Sequence, residues 1–148
     1  MPSILILNGP NMTMLGTREP HLYGHDTLAQ LEKTWTDYGK SKGIQVDCMH
    51  SNHEGQLIDH IEDSTHDAII LNAAALSHSS IAIHDALISY TGVIVEVHIS
   101  NIYKREPFRQ HSYISRQAHA VICGAGTYGY ILAMDAITHK LAQQDAHT

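Results

Sequence analysis

Val93-Ile-Val-Glu-Val97, running on as His98-Ile-Ser100, is the stretch on which the fold turns. It has the length of a strand and is rich in Val and Ile. Four further runs share its character: Ile4–Leu7, Ile44–Met49, Ala68–Leu71 and Ala120–Cys123. Between them lie stretches with helical spacing. Thr27–Lys42 opens with Thr27-x-x-Gln30, a capping box, and puts Leu28, Leu31 and Trp35 on one face. Gly43 then suits the C′ position. Ser51-x-x-Glu54 reads as a second capping box ahead of Leu57, Ile58 and Ile61. Ile81–Tyr90 and Tyr128–Gln143 complete the set, and the tail Gln143–Thr148 reads as frayed.

Strand and helix therefore alternate five times. That pattern predicts an α/β protein with a parallel sheet and helices on both faces. The expectation is a single flavodoxin-like domain over residues 1–148, with five strands in the order 2-1-3-4-5. Composition agrees. The 148 residues are 43% hydrophobic and 16% charged, enough apolar content for a core. A formal charge of −6 argues against non-specific binding to nucleic acid or an anionic membrane. No apolar run approaches the ~20 residues of a spanning helix. No basic, apolar leader opens the chain, so the expected location is cytoplasmic. Cys48 and Cys123 form no CxxC and read as buried thiols. Among the 13 histidines there is no HExxH and no zinc-knuckle spacing, so no metal is expected.

In open α/β sheets, ligands bind beyond the carboxyl ends of the strands. The first run is followed by Asn8, Asn11, Arg18 and Tyr23, the third by Asn72, Ser77 and His78. The fourth ends in Glu96, His98 and Ser100, with Arg109 beyond. On that strand Ile94, Glu96, His98 and Ser100 share a face. A carboxylate beside an imidazole makes a general acid for neutral pH, and equally a structural hydrogen bond. Lys104, Arg105, Arg109 and Arg116 form a basic segment with Glu106 as its one acid. It fits a grip on a small anion, a solvated loop or an inter-subunit ion pair. The long connection Asn8–Asp26 carries Arg18 and Tyr23 between glycines, and could close over a ligand. A guanidinium beside a phenol favours the phenolate, a candidate base. Gly124-Ala-Gly126-Thr-Tyr-Gly129 fits GxGxxG, but the residues after it are taken up by a helical pattern. No βαβ unit follows, so these glycines read as tight turning and close packing, and nicotinamide-linked oxidation is disfavoured.

Several motifs together resemble type II 3-dehydroquinate dehydratase. They are Leu7-Asn-Gly-Pro-Asn11, Leu15-Gly-Thr-Arg18-Glu-Pro20, Tyr23-Gly24, Ser51-Asn-His-Glu-Gly55, Ser77-His-Ser-Ser80, Asp85-Ala-Leu87, Glu96-Val-His-Ile-Ser-Asn101, Arg109-Gln-His-Ser112 and Gly126-x-x-Gly-Tyr130. The resemblance implies trans dehydration of 3-dehydroquinate to 3-dehydroshikimate without cofactor or metal. It implies Tyr23 as base and Arg18 as the group that holds its phenolate. Asn11 would order a water at the enolate oxygen. His98 would be the acid, oriented by Glu96. Asn72, His78, Ile99, Ser100 and Arg109 would bind substrate. Asp85 would reach a neighbouring subunit's site, so a homo-oligomer, a dodecamer built on trimers, is implied. Three places depart from the family's usual pattern. Met12-Thr-Met-Leu15 stands for Leu-Asn-Leu-Leu, Ala73-Ala-Ala75 stands where glycine or proline is usual, and His84 stands for Arg. These bear on loop geometry and subunit contacts. A binding module that holds a cyclic acid without reacting it is the competing class. Retention of both a base and an acid argues against it.

Overall fold

The computed structural model describes residues 1–146. Five strands form one sheet: β1 (Ser3–Asn8), β2 (Gln45–His50), β3 (Ala68–Asn72), β4 (Val93–His98) and β5 (Ala120–Cys123). Their order is β2-β1-β3-β4-β5, and every pairing is parallel. The helices are α1 (Pro20–Tyr23), α2 (Leu28–Ser41), α3 (Glu54–Asp63), α4 (Ile81–Ile88) and α5 (Gly129–Ala146).

Both faces of the central strands are buried, as parallel strands between two helical layers require. Ile4, Ile6, Ile70, Val95 and Val97 face a core closed by Leu31 and Trp35 of α2 and by Tyr130, Met134 and Ile137 of α5. Leu5, Leu7, Ile69, Leu71 and Ile94 face a second core closed by Leu57 and Ile61 of α3 and by Ile83 and Leu87 of α4.

The first capping box forms as expected. The Gln30 amide N–H donates to Thr27 Oγ1 at 3.2 Å, and Gln30 Oε1 accepts from the Thr27 N–H at 2.8 Å. Gly43 follows with φ +72°, the left-handed turn that ends the helix. The second box does not form. The Ser51 N–H still donates to the Asn8 carbonyl, extending the sheet ladder, so the helix starts later, with His53 as N-cap. The Ser51 hydroxyl instead accepts from the His53 N–H and donates to Gln56. Helix α4 stops two residues short of Tyr90, whose hydroxyl turns away to donate to the His66 carbonyl at 2.5 Å. Helix α5 runs on to Ala146, through most of the tail expected to fray; positions 147 and 148 lie outside the described residues.

Both long connections are folded. The first carries a 3₁₀ turn at Met12–Met14 and helix α1, pinned by buried Met12 and Leu15. The second carries 3₁₀ turns at Ile102–Lys104 and Pro107–Arg109, with Ile102 and Ile114 buried. They meet above the carboxyl ends of β1, β3 and β4.

Candidate active site

A cavity of about 170 Å³ opens where the two connections meet. Its wall includes Asn11, Arg18 and Tyr23 from the first connection and Asn72 and His78 from the end of β3 and the turn after it. Beyond β4 it is completed by His98, Ile99, Ser100, Arg105 and Arg109. Nine residues expected at a site from sequence thus share one space. Glu96 stands behind His98. Asp85 lies elsewhere, exposed on α4 and paired with His84 Nδ1 at 2.9 Å.

The imidazole side is built into the sheet. Glu96 is fully buried and His98 is 4% exposed. The Glu96 carboxylate takes a short hydrogen bond from His98 Nε2. It also accepts from Ser112 Oγ at 2.6 Å and Ser115 Oγ at 2.5 Å. Burial works to raise the Glu96 pKa, but the His98 ring and the two hydroxyls outweigh it, and the carboxyl lies below its usual value. All three partners donate, which suits the ionised form. With Nε2 turned to Glu96, Nδ1 is the ring nitrogen left for a ligand.

His78 stacks near this ring, with centroids 6.1 Å apart and planes at 19°. Its Nδ1 is 2.7 Å from the His111 carbonyl, so Nδ1 carries the proton and Nε2 is left with a lone pair. Burial, aided by the neighbouring His98 and Arg109, lowers the His78 pKa despite that carbonyl contact. A neutral ring at neutral pH follows, able to accept from a ligand hydroxyl.

The phenol side hangs on the first connection. Tyr23 closes α1, and its hydroxyl accepts from Arg105 Nη1 at 2.7 Å. That guanidinium lies 5.8 Å from the ring centroid and also reaches Ser100 Oγ at 3.3 Å. The cation expected beside Tyr23 was Arg18, which instead stands exposed at the cavity wall with no ion pair among the described residues. Arg105 was visible in sequence only as one member of a basic segment. Asn11, at φ +70°, is anchored by its own N–H on Asn52 Oδ1 at 2.9 Å. Arg109 gives Nε to Glu106 at 2.5 Å, which leaves its two terminal nitrogens for a carboxylate. The Asn72 amide is held at both ends, as Oδ1 accepts from the Ala74 N–H at 3.0 Å and Nδ2 donates to the Tyr130 hydroxyl at 2.9 Å. Ser112 and Tyr130 enter the sequence reading only as members of motifs with no role attached, and Ser115 not at all; nothing in their spacing signals the site, because they reach it from far along the chain.

These groups define a class of protein: a small α/β enzyme that moves protons on a polar ligand beyond the ends of its strands. The family described as Dehydroquinase class II matches residues 2–138. The chain is 53% identical over 143 residues to the catabolic 3-dehydroquinase 2 of Aspergillus fumigatus, covering 95% of each chain. It is 49% identical over 144 residues to the 3-dehydroquinate dehydratase 2 of Ralstonia nicotianae, covering 93% of this chain and 94% of the relative. The crystal structure of type II dehydroquinase from Propionibacterium acnes superposes with a TM-score of 0.88 at 40% identity, covering 91% of this chain and 94% of that one. The chain belongs to the class II dehydroquinase family.

Proposed function

We propose that this chain is a 3-dehydroquinate dehydratase, a hydro-lyase that removes water in trans from 3-dehydroquinate to give 3-dehydroshikimate, in the shikimate pathway or in quinate catabolism. Beyond family membership, one observation carries the reading. A phenol with a guanidinium on its oxygen and an imidazole with a buried carboxylate behind it open into the same cavity.

The reaction must break a C–H bond next to a ketone and then a C–O bond. Tyr23 takes the proton as its phenolate, and Arg105 is placed to hold that oxygen. The C–H electrons pass to the ketone oxygen as an enolate, where Asn11 orders a water. Arg18, exposed at the cavity wall, closes toward the developing charge and steadies the transition state. The enolate collapses, the C–O bond breaks, and His98 gives its proton to the departing hydroxyl. Glu96 steadies the imidazolium before transfer and fixes the ring. Arg109 grips the substrate carboxylate. Asn72, His78, Ile99 and Ser100 bind the rest, with His78 Nε2 accepting from a hydroxyl. Acidity beside the ketone makes this possible with no cofactor and no metal.

The whole chain, 1–148, acts as one cytoplasmic catalytic domain. Asp85 is exposed on α4 and does not line the cavity of its own subunit, which supports a role at a neighbour's site in a dodecamer built on trimers. A fully active monomer in light scattering would overturn that assembly. The activity itself is tested by adding 3-dehydroquinate to the protein and following the ultraviolet absorbance of the conjugated enone. Its appearance is expected with the native chain, and no growth with native protein would refute the function.

A further inference from the structure

The glycine motif at Gly124–Gly129 has a purpose other than a dinucleotide. It turns the chain at the end of β5 and starts α5 close against the sheet: a Cβ on Gly129 would sit 3.4 Å from Val97 Cγ1. The residue that follows is Tyr130, fully buried and stacked on Trp35 with ring centroids 4.0 Å apart. Its hydroxyl lies between two asparagines. It donates to Asn8 Oδ1 at 2.5 Å and accepts from Asn72 Nδ2 at 2.9 Å.

A hydroxyl has one proton, so this chain of bonds has a direction. The Ala74 N–H needs an oxygen, and among the described residues Asn72 Oδ1 serves it, at 3.0 Å. Nδ2 must then face Tyr130, whose oxygen accepts, and whose proton must go to Asn8. Reversing Tyr130 or Asn72 would set two donors or two acceptors against each other inside the core, at about 1–3 kcal/mol for each buried group left without a partner. Among the described residues, the second N–H of Asn72 meets nothing stronger than the Met12 thioether, 3.9 Å away at the cavity wall. A thioether is a weak acceptor that a ligand oxygen readily displaces.

We propose that Tyr130 is a positioning residue for the reaction. With the Ala74 N–H on Oδ1 and with Tyr130, itself directed by Asn8, on Nδ2, the core holds the Asn72 amide from both ends, so that the cavity is offered an N–H donor and not a carbonyl oxygen. The site thereby selects a ligand with an acceptor oxygen at this point. The inference rests on the reading of Asn72 as a substrate contact.

The test compares Tyr130→Phe, Asn8→Ala, Asn72→Ala and the double variant Asn72→Ala/Tyr130→Phe in steady-state dehydration of 3-dehydroquinate. Tyr130→Phe keeps the ring on Trp35 and removes only the hydroxyl. It should lower kcat/KM about tenfold, the worth of one hydrogen bond to an oriented donor, mainly through KM. Asn8→Ala frees the Tyr130 proton to turn on Asn72 and should act in the same direction, which keeps the test alive if Tyr130→Phe does not fold. The double variant should be no worse than Asn72→Ala. The proposal is overturned if Asn72→Ala lowers kcat/KM while Tyr130→Phe, or Asn8→Ala in its place, stays within twofold of native, or if the two losses simply multiply. If Asn72→Ala is itself silent, the binding role of Asn72 falls, and this proposal with it, while the dehydration measured on native protein stands.

Discussion

The two sides of the cavity are built differently. On the acid side, His98 is the last residue of a buried strand, and its partner Glu96 is completely enclosed and held by two serines. On the base side, Tyr23 ends a four-residue helix in a long connection, and its hydroxyl takes a hydrogen bond from Arg105. The neighbouring Arg18 is exposed. One half is preorganised by the core; the other is built from residues of two long connections. Damage to the base should appear in kcat alone, and damage to the acid in kcat and in pH-dependent stability together.

The largest expected effect is on the base. Tyr23→Phe keeps the ring and should lower kcat by roughly 10² to 10⁴, the worth of one positioned base, with KM nearly unchanged. Arg105→Ala against Arg18→Ala then sharpens the comparison. If Arg105 holds the phenolate, its loss should lower kcat most at neutral pH and let part of it return as pH rises, while loss of Arg18 lowers kcat at every pH. Identical profiles for the two would break the distinction.

Glu96→Gln tests the buried side. Because the folded carboxyl titrates below its usual 4.5, Glu96 contributes stability that is complete above that value and is lost as pH falls through the lower folded value. The thermal stability of the native chain should fall with acid over that window, and Glu96→Gln should remove this part of the fall while also lowering kcat. A variant with the native pH dependence of stability would contradict the buried ionised carboxylate. Arg109→Ala should mostly raise KM, since the carboxylate is gripped before as well as in the transition state.

How legible these halves were in the sequence follows the same division. The five strands were readable because both faces of each interior strand are apolar, and the Thr27 cap because both its bonds are to Gln30, three residues on. Glu96 and His98 were readable because two positions along a strand put them on one face. Ser112 and Ser115 were not, since they reach Glu96 across 16 and 19 positions, which no local spacing encodes. The Tyr23–Arg105 contact spans 82 positions, and sequence proximity favoured Arg18 in its place. Ser51 looked like a cap because its spacing to Glu54 is right, yet the sheet still holds its backbone there.

The smallest expected effect concerns Ala74, at φ +52° in the run Ala73-Ala-Ala75. A left-handed alanine costs about 1–2 kcal/mol. Glycine would relieve that but adds about 0.4–1 kcal/mol of unfolded-state entropy. Ala74→Gly should therefore raise Tm slightly and leave KM alone, because the Ala74 N–H that orients Asn72 remains.

The central claim is that a base and an acid from these two sides remove hydrogen and hydroxyl from opposite faces of the substrate. It is tested most directly with 3-dehydroquinate carrying deuterium beside the ketone, on the face opposite the departing hydroxyl. The account predicts that the native protein yields 3-dehydroshikimate free of deuterium in mass spectra; product that keeps the label would contradict it.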